Sequence, residues 1–185
     1  VEAMSEGELL QIEKARRLDI DEAVYFEIIR RKTASLIAAC CAAGAASAGA
    51  DEERVALMRR FGEEMGIAFQ IKDDLLDFTP SAATGKPKGG DIKERKMTLP
   101  LIHTLQSLGP IERRRMIRSI KRSREHPEEA LRIMESILSG PGMAHAEQRM
   151  IEHRDRAVAL LDPLPEGAAK ASLVDLVDFT ISRRK

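Results

Sequence analysis

Apolar residues recur at three- and four-residue intervals along almost the whole chain, and no stretch sustains the two-residue alternation of a strand. The pattern predicts an all-α protein of eight helices. Residues 4–18 carry Leu9, Leu10 and Ile12 with charges between. Asp19 or Asp21 can cap a second helix that runs to about Ala48 and ends at Gly49. Its first half is amphipathic through Val24, Tyr25, Ile28 and Ile29; from Thr33 onward it is crowded with Ala, Ser, Cys and Gly. Small residues suit a helix approached closely by a neighbouring backbone, but alanine enrichment for helix propensity gives the same composition. Asp51 caps a third, largely apolar helix that ends near Phe78, where Thr79-Pro80 breaks it. Residues 79–97 read as a polar loop holding Gly85, Gly89 and Gly90, and loops this long inside a compact domain are usually functional or disordered. Pro100, Pro110 and Pro127 each suit the first turn of a helix, reaching Leu108, about Arg124 and about Leu138. Two amphipathic helices, 143–161 and 168–183, close the chain. No period of 20–50 residues is present, which disfavours a helical repeat.

Composition narrows the classes. A chain of 185 residues fits one domain or most of one. Basic and acidic residues balance at 30 each, which argues against affinity for nucleic acid from an overall basic field. Aromatics at 3%, with no Trp, leave little for base stacking. The only cysteines are the neighbours Cys40 and Cys41, a poor disulfide pair, so a reducing, cytoplasmic setting is expected. Residues 34–50 carry no charge but fall short of the roughly 20 needed for a membrane span. The start shows no signal-peptide pattern. The chain opens on Val1 in what reads as mid-helix, which suggests a piece of something longer.

The candidate chemistry lies at residues 70–96. Asp73 and Asp77 are four apart and share a helix face, with Asp74 about 100° round and Gln70 one turn before. Carboxylates within a single turn repel unless a cation sits among them. Hard oxygen ligands suit magnesium, which pairs one or two carboxylates with waters and phosphate oxygens. A solvated acidic helix end is the plainer alternative, but Leu75, Leu76 and Phe78 interleave with the aspartates and set this turn near a core. Lys86, Lys88 and Lys96 fall in or just after the glycine-bearing loop, where backbone N–H groups and lysine charges together can hold a diphosphate. Alone, that loop reads as an ordinary basic loop, and its spacing is not that of a Walker loop. Lys32-Thr33 sits where charged residues give way to small ones: a surface lysine, or one reaching into a polar pocket mouth. Between Arg113 and Arg124 seven basic residues flank Met116, Ile117 and Ile120, which reads as a solvated helix face, with contact to an anionic membrane as the sharper reading. The four histidines show no zinc-ligand spacing.

Phe69-Gln70-Ile71-Lys72-Asp73-Asp74-Leu75-Leu76-Asp77 resembles the second aspartate-rich motif of all-trans isoprenyl (polyprenyl) diphosphate synthases. The stretch from Gly85-Lys86-Pro87 through Gly89 and Asp91 to Lys96-Met97-Thr98-Leu99-Pro100 follows with that family's spacing, and Lys32-Thr33 resembles its upstream Lys-Thr pair. Gly7-Glu8-Leu9-Leu10-Gln11 is more similar to the medium- and long-chain members. The resemblance implies an all-α isoprenoid synthase bundle around a deep apolar cavity. It implies a magnesium site at Asp73, Asp74 and Asp77, with Asp73 a direct ligand. Lys32, Lys86 and Lys96 would hold the allylic diphosphate, and Thr33 and Gln70 would sit by the reacting carbon. The co-substrate would be isopentenyl diphosphate, and the assembly a homodimer without nucleic acid or an integral membrane segment. Where the family usually has glycine before the last lysine, this chain has Arg95. Nothing in the chain matches the family's first aspartate-rich motif or its isopentenyl-diphosphate-binding basic residues, so residues 1–185 are expected to be the C-terminal portion of one synthase domain, inactive alone. The rival readings are a non-catalytic regulatory subunit, a terpene cyclase on the same fold, and a membrane-surface or helix-binding module using the basic helix.

Overall fold

The computed structural model describes residues 2–18, 21–79 and 90–183. Among these residues there is no strand. The helices are α1 (Glu2–Arg17), α2 (Glu22–Ile29), α3 (Ser35–Ser47), α4 (Glu52–Phe78), α5 (Gly90–Lys93), α6 (Leu99–Ser107), α7 (Pro110–Arg122), α8 (Pro127–Ser139), α9 (Gly142–Ala159) and α10 (Ala168–Ser182). A π-helical turn, Arg30–Ala34, joins α2 to α3.

Most ends follow from local chemistry. The Asp21 and Asp51 carboxylates accept the backbone N–H of Val24 and Arg54, each at 2.8 Å, and so start α2 and α4. Gly49 takes φ +77° and lets α3 close, with the Ala50 N–H donating back to the Ala45 carbonyl at 3.1 Å. Pro100, Pro110 and Pro127 lie in the first turns of α6, α7 and α8.

Two expectations are corrected. The helix expected from about 21 to 48 is not uniform: the Ser35 N–H reaches the Arg30 carbonyl, a five-residue bond that widens one turn. The expected loop at 79–97 holds α5. That short helix ends with Lys96 N–H on the Asp91 carbonyl at 2.8 Å and Arg95 N–H on that of Ile92 at 3.0 Å. Arg95 takes φ +59°, the left-handed position of such an ending, where glycine is the unstrained choice. Its guanidinium donates to the Lys121 carbonyl at 2.7 Å, which offsets part of the strain. This is the position where the family resemblance leads one to expect glycine.

The 27 residues of α4 span about 40 Å, and α3, the π-turn, α9 and α10 all pack on it. Glycines on α4 set how near α3 comes. A Cβ at Gly66 would lie 2.6 Å from the Ala34 Cα, and one at Gly62 would lie 2.8 Å from the Ala38 Cα. Ala34 in the π-turn and Ala38 on α3 are therefore positions of close approach, while Ala39, Ala43, Gly44 and Ala46 are exposed and are not explained by it. Gly66→Ala is expected to destabilise by about 1–3 kcal/mol through overpacking, despite alanine's helix propensity. Gly44→Ala, at an exposed position with nothing within 4 Å, should stabilise by about 0.5–1 kcal/mol. Opposite shifts of the two denaturant midpoints check the pair.

The larger apolar core joins α2, α4, α6, α8 and α9 through residues such as Ile28, Ile71, Leu101, Ile133 and Met150. A smaller one gathers Phe61, Met65, Ala157, Leu161 and Val177. On α7, Ile120 is buried while Arg113, Arg114, Arg115, Arg118, Lys121 and Arg122 are exposed, as expected for a solvated face. No described helix is long and apolar enough to cross a membrane.

Candidate functional site at the aspartate turn of α4

The last two turns of α4 carry Gln70, Asp73, Asp74 and Asp77, and helical geometry points them in different directions. Asp74 turns inward and is 6% exposed. Its Oδ2 accepts the Tyr25 hydroxyl at 2.8 Å and the Leu99 backbone N–H at 3.0 Å, and its Oδ1 accepts the Gln70 amide at 3.3 Å. Asp74 thus caps α6 from another helix, at an end where Thr98 supplies no side-chain cap. Burial pushes the Asp74 carboxyl up to about 7, against the lowering effect of its bonds from Leu99, Tyr25 and Gln70; Asp91 nearby adds to the rise. Burial, and then Asp74 itself, push the Tyr25 hydroxyl well above the ordinary tyrosine range.

Asp73 turns outward, with its side chain 40% exposed. Its Oδ1 meets the Arg183 guanidinium at 2.5 Å, just past the end of α10. That guanidinium also donates to the Phe69 carbonyl at 3.2 Å and lies 4.2 Å from the Phe69 ring centroid. Asp77 is half-buried, and its Oδ1 lies 3.8 Å from where a Cβ on Gly90 would stand, so the start of α5 abuts this turn.

The π-turn faces α4. Thr33 Oγ1 donates to Gln70 Oε1 at 2.8 Å, so a line of hydrogen bonds runs Thr33, Gln70, Asp74, Tyr25. Lys32 lies beside Thr33 on the widened turn, and its Nζ is held by Gln11 Oε1 and Glu8 Oε2, each at 2.6 Å. Gly7 allows the two backbones to approach: a Cβ there would lie 2.7 Å from the Lys32 backbone nitrogen. The Gly7–Gln11 segment, read in the sequence only for its likeness to longer-chain synthases, is thus the bracket that holds Lys32. Lys96 pairs with Asp91 at 2.9 Å and Glu94 at 3.0 Å. Burial pulls its ammonium down, but those carboxylates outweigh burial and hold it above the ordinary lysine range.

The structure therefore brings Thr33, Gln70 and Asp74 into one hydrogen-bonded line, with Lys32 on the adjoining turn. It separates Asp74, in the core, from Asp73 at the surface. Lys86 and Lys88, with Gly85 and Gly89, lie outside the described residues. Sequence reasoning missed Tyr25 and Arg183. Tyr25 is the chain's only tyrosine, on an otherwise apolar helix face, and a buried hydroxyl there implies a polar partner. No local signal links Arg183 to Asp73 across 110 positions.

The polyprenyl synthetase family model matches residues 1–137. The chain is 35% identical over 181 residues to an all-trans-nonaprenyl-diphosphate synthase (geranyl-diphosphate specific) of Rhodobacter capsulatus, covering 97% of this chain and 55% of that one. It is 32% identical over 184 residues to the octaprenyl diphosphate synthase of Escherichia coli K12, covering 99% and 57%. A polyprenyl synthase from Caulobacter crescentus CB15, solved in complex with calcium and isoprenyl diphosphate, superposes with a TM-score of 0.89 at 35% identity, covering 100% of this chain and 56% of that one. The chain thus spans little more than half the length of these relatives.

Proposed function

From the chain's membership of the polyprenyl synthetase family, whose all-α isoprenoid synthase fold it shares, we propose that it carries the diphosphate-ionising part of an all-trans prenyltransferase. The reaction would join an allylic diphosphate to isopentenyl diphosphate. The observation that best supports this reading is the Thr33–Gln70–Asp74 line, which ties the lysine-bearing π-turn to the aspartate turn.

The donor set suits magnesium. Asp73 offers an outward carboxylate already matched by a positive group, and Asp77 follows one turn later on the same helix. Asp73 and Asp77 would hold the ion, with Asp74 bracing the turn from behind. When bound, magnesium supplies charge neutralisation for the departing diphosphate. Lys32 contributes a point charge to the same leaving group, held in place by Glu8 and Gln11. Lys86 and Lys96 are the further lysines assigned to it. The allylic carbon–oxygen bond breaks, and the diphosphate takes the electron pair. The Thr33 hydroxyl and Gln70 carbonyl oxygens would supply dipoles that stabilise the allylic cation. The double bond of isopentenyl diphosphate then attacks that cation, and the departed diphosphate takes the proton lost from the new cation as its double bond forms. An apolar cavity in the complete protein would keep out the water that quenches the cation.

Titrating magnesium with an unreactive allylic diphosphate analogue into the complete protein tests the reading. Saturable heat is expected, and Lys32→Ala should weaken binding roughly 10-fold or more, the loss of one charge-assisted contact. Absence of any saturable signal in the wild type would end this reading.

A further inference from the structure

Three side chains outside the aspartate turn converge from three helices. Among the described residues, Glu22 on α2, His103 on α6 and His145 on α9 each bring one potential ligand atom within 4.8 Å of the other two. All three are half-buried. The imidazoles of His103 and His145 stack with centroids 3.8 Å apart and planes 9° from parallel. His145 Nε2 lies 2.9 Å from Glu22 Oε2. The other Glu22 oxygen lies 3.2 Å from Arg149 Nε, and Arg149 is itself fixed by Glu152 and by Phe26, whose ring centroid is 4.9 Å away. Glu22 thus makes an ion pair with Arg149 through one oxygen and meets His145 through the other. A backbone contact brings α6 and α9 together here. Gly142 sits so close to α6 that a Cβ there would lie 2.2 Å from the Pro100 carbonyl oxygen. Burial, and then His145, hold the His103 imidazole below the ordinary histidine range, against the raising effect of Glu22.

We propose that Glu22, His103 and His145 form a binding site for a divalent transition ion of the zinc type, distinct from the aspartate turn. Two imidazoles and one carboxylate are a recognised zinc donor set with a fourth position left for water. Imidazole nitrogens favour zinc over magnesium, whereas the all-oxygen aspartate turn has the reverse preference. Zinc bonds of about 2.0–2.2 Å require the three atoms to draw inward, which rotation of the two rings about their side-chain bonds supplies. The site would act as a clip. Glu22 lies one turn before Tyr25, and His103 one turn after Leu99, the two residues that donate to Asp74 Oδ2. An ion joining α2, α6 and α9 would stiffen the frame behind the aspartate turn.

Zinc chloride titrated into chelator-treated protein, followed by calorimetry and by the imidazole NMR resonances, tests the site. Saturable uptake of a single equivalent at this site is expected, with shifts in both the His103 and His145 rings and a raised melting temperature; magnesium should move neither ring. His103→Gln and His145→Gln should each weaken zinc binding by more than the roughly 10- to 100-fold seen for loss of an outer partner. Asp73→Asn should leave this binding intact. Unchanged ring resonances in the wild type would overturn the proposal even if a histidine variant failed to fold. Zinc uptake lost in Asp73→Asn but kept in both histidine variants would also overturn it, by assigning the ion to the aspartate turn. Because Asp73→Asn tests the magnesium reading separately, failure of either site is distinguishable from failure of the other.

Discussion

Asp74→Ala is expected to lower the stability of the chain by about 3–5 kcal/mol, read as a large drop in denaturant midpoint. The substitution leaves the Tyr25 hydroxyl and the Leu99 N–H buried without their acceptor, at about 1–3 kcal/mol each. It also removes the carboxylate that caps α6. Asp74→Asn keeps a carbonyl oxygen for those donors and should cost far less. The two variants differ in a second way. Because burial raises the Asp74 carboxyl from 3.8 to about 7, the folded state holds a proton there that the unfolded chain has released. The stability this group contributes is fully present below its unfolded value and is lost as pH rises through about 7. An asparagine does not ionise, so Asp74→Asn should flatten that part of the stability profile between the two values.

Asp73→Ala should behave in the opposite manner. In the complete protein, turnover is expected to fall by roughly 100- to 1,000-fold or more, the scale of losing a preorganised electrostatic contact to the leaving group. Helicity should be unchanged, because the substitution removes only a partly exposed pair with Arg183, worth at most about 1 kcal/mol. Steady-state kinetics and circular dichroism on the same preparation check both halves. Near-normal turnover would count heavily against Asp73 as a magnesium ligand. Neighbouring carboxylates of identical chemistry would thus fail by different routes, because 100° of helical rotation sets one in the core and the other at the surface.

The helical class, the cap at Asp51, the ending at Gly49 and the break after Phe78 were legible in the sequence, because each depends on residues within a turn of one another; before α2 the choice between Asp19 and Asp21 stayed open, and Asp21 is the cap. The Lys32-Thr33 pair and the aspartate turn were legible as separate motifs. Their connection through Gln70 was not, because it depends on how α3 docks on α4, and that docking rests on glycines whose role shows only when the opposing backbone is present. The division of labour between Asp73 and Asp74 was only half visible: spacing set Asp74 about 100° round from Asp73 and Asp77, but not which of the two faces meets the core. The pairing of Arg183 with Asp73, and the meeting of His103 with Glu22 and His145, join segments far apart in the chain and left no local trace. The short helix α5 was missed because its glycine-rich surroundings signal a loop.

The π-turn at Arg30–Ala34 holds one residue more than a regular helical turn. Deleting one residue there would let α2 and α3 run on as a single regular helix, a locally favourable change. The flanking helices would keep their rotation relative to each other, because the wide turn already absorbs the extra residue; what would be lost is the local widening that carries Lys32 to Gln11 and Thr33 to Gln70. A second inserted residue, with no such turn to absorb it, would instead swing α3 by about 100° and carry Ala38 away from Gly62.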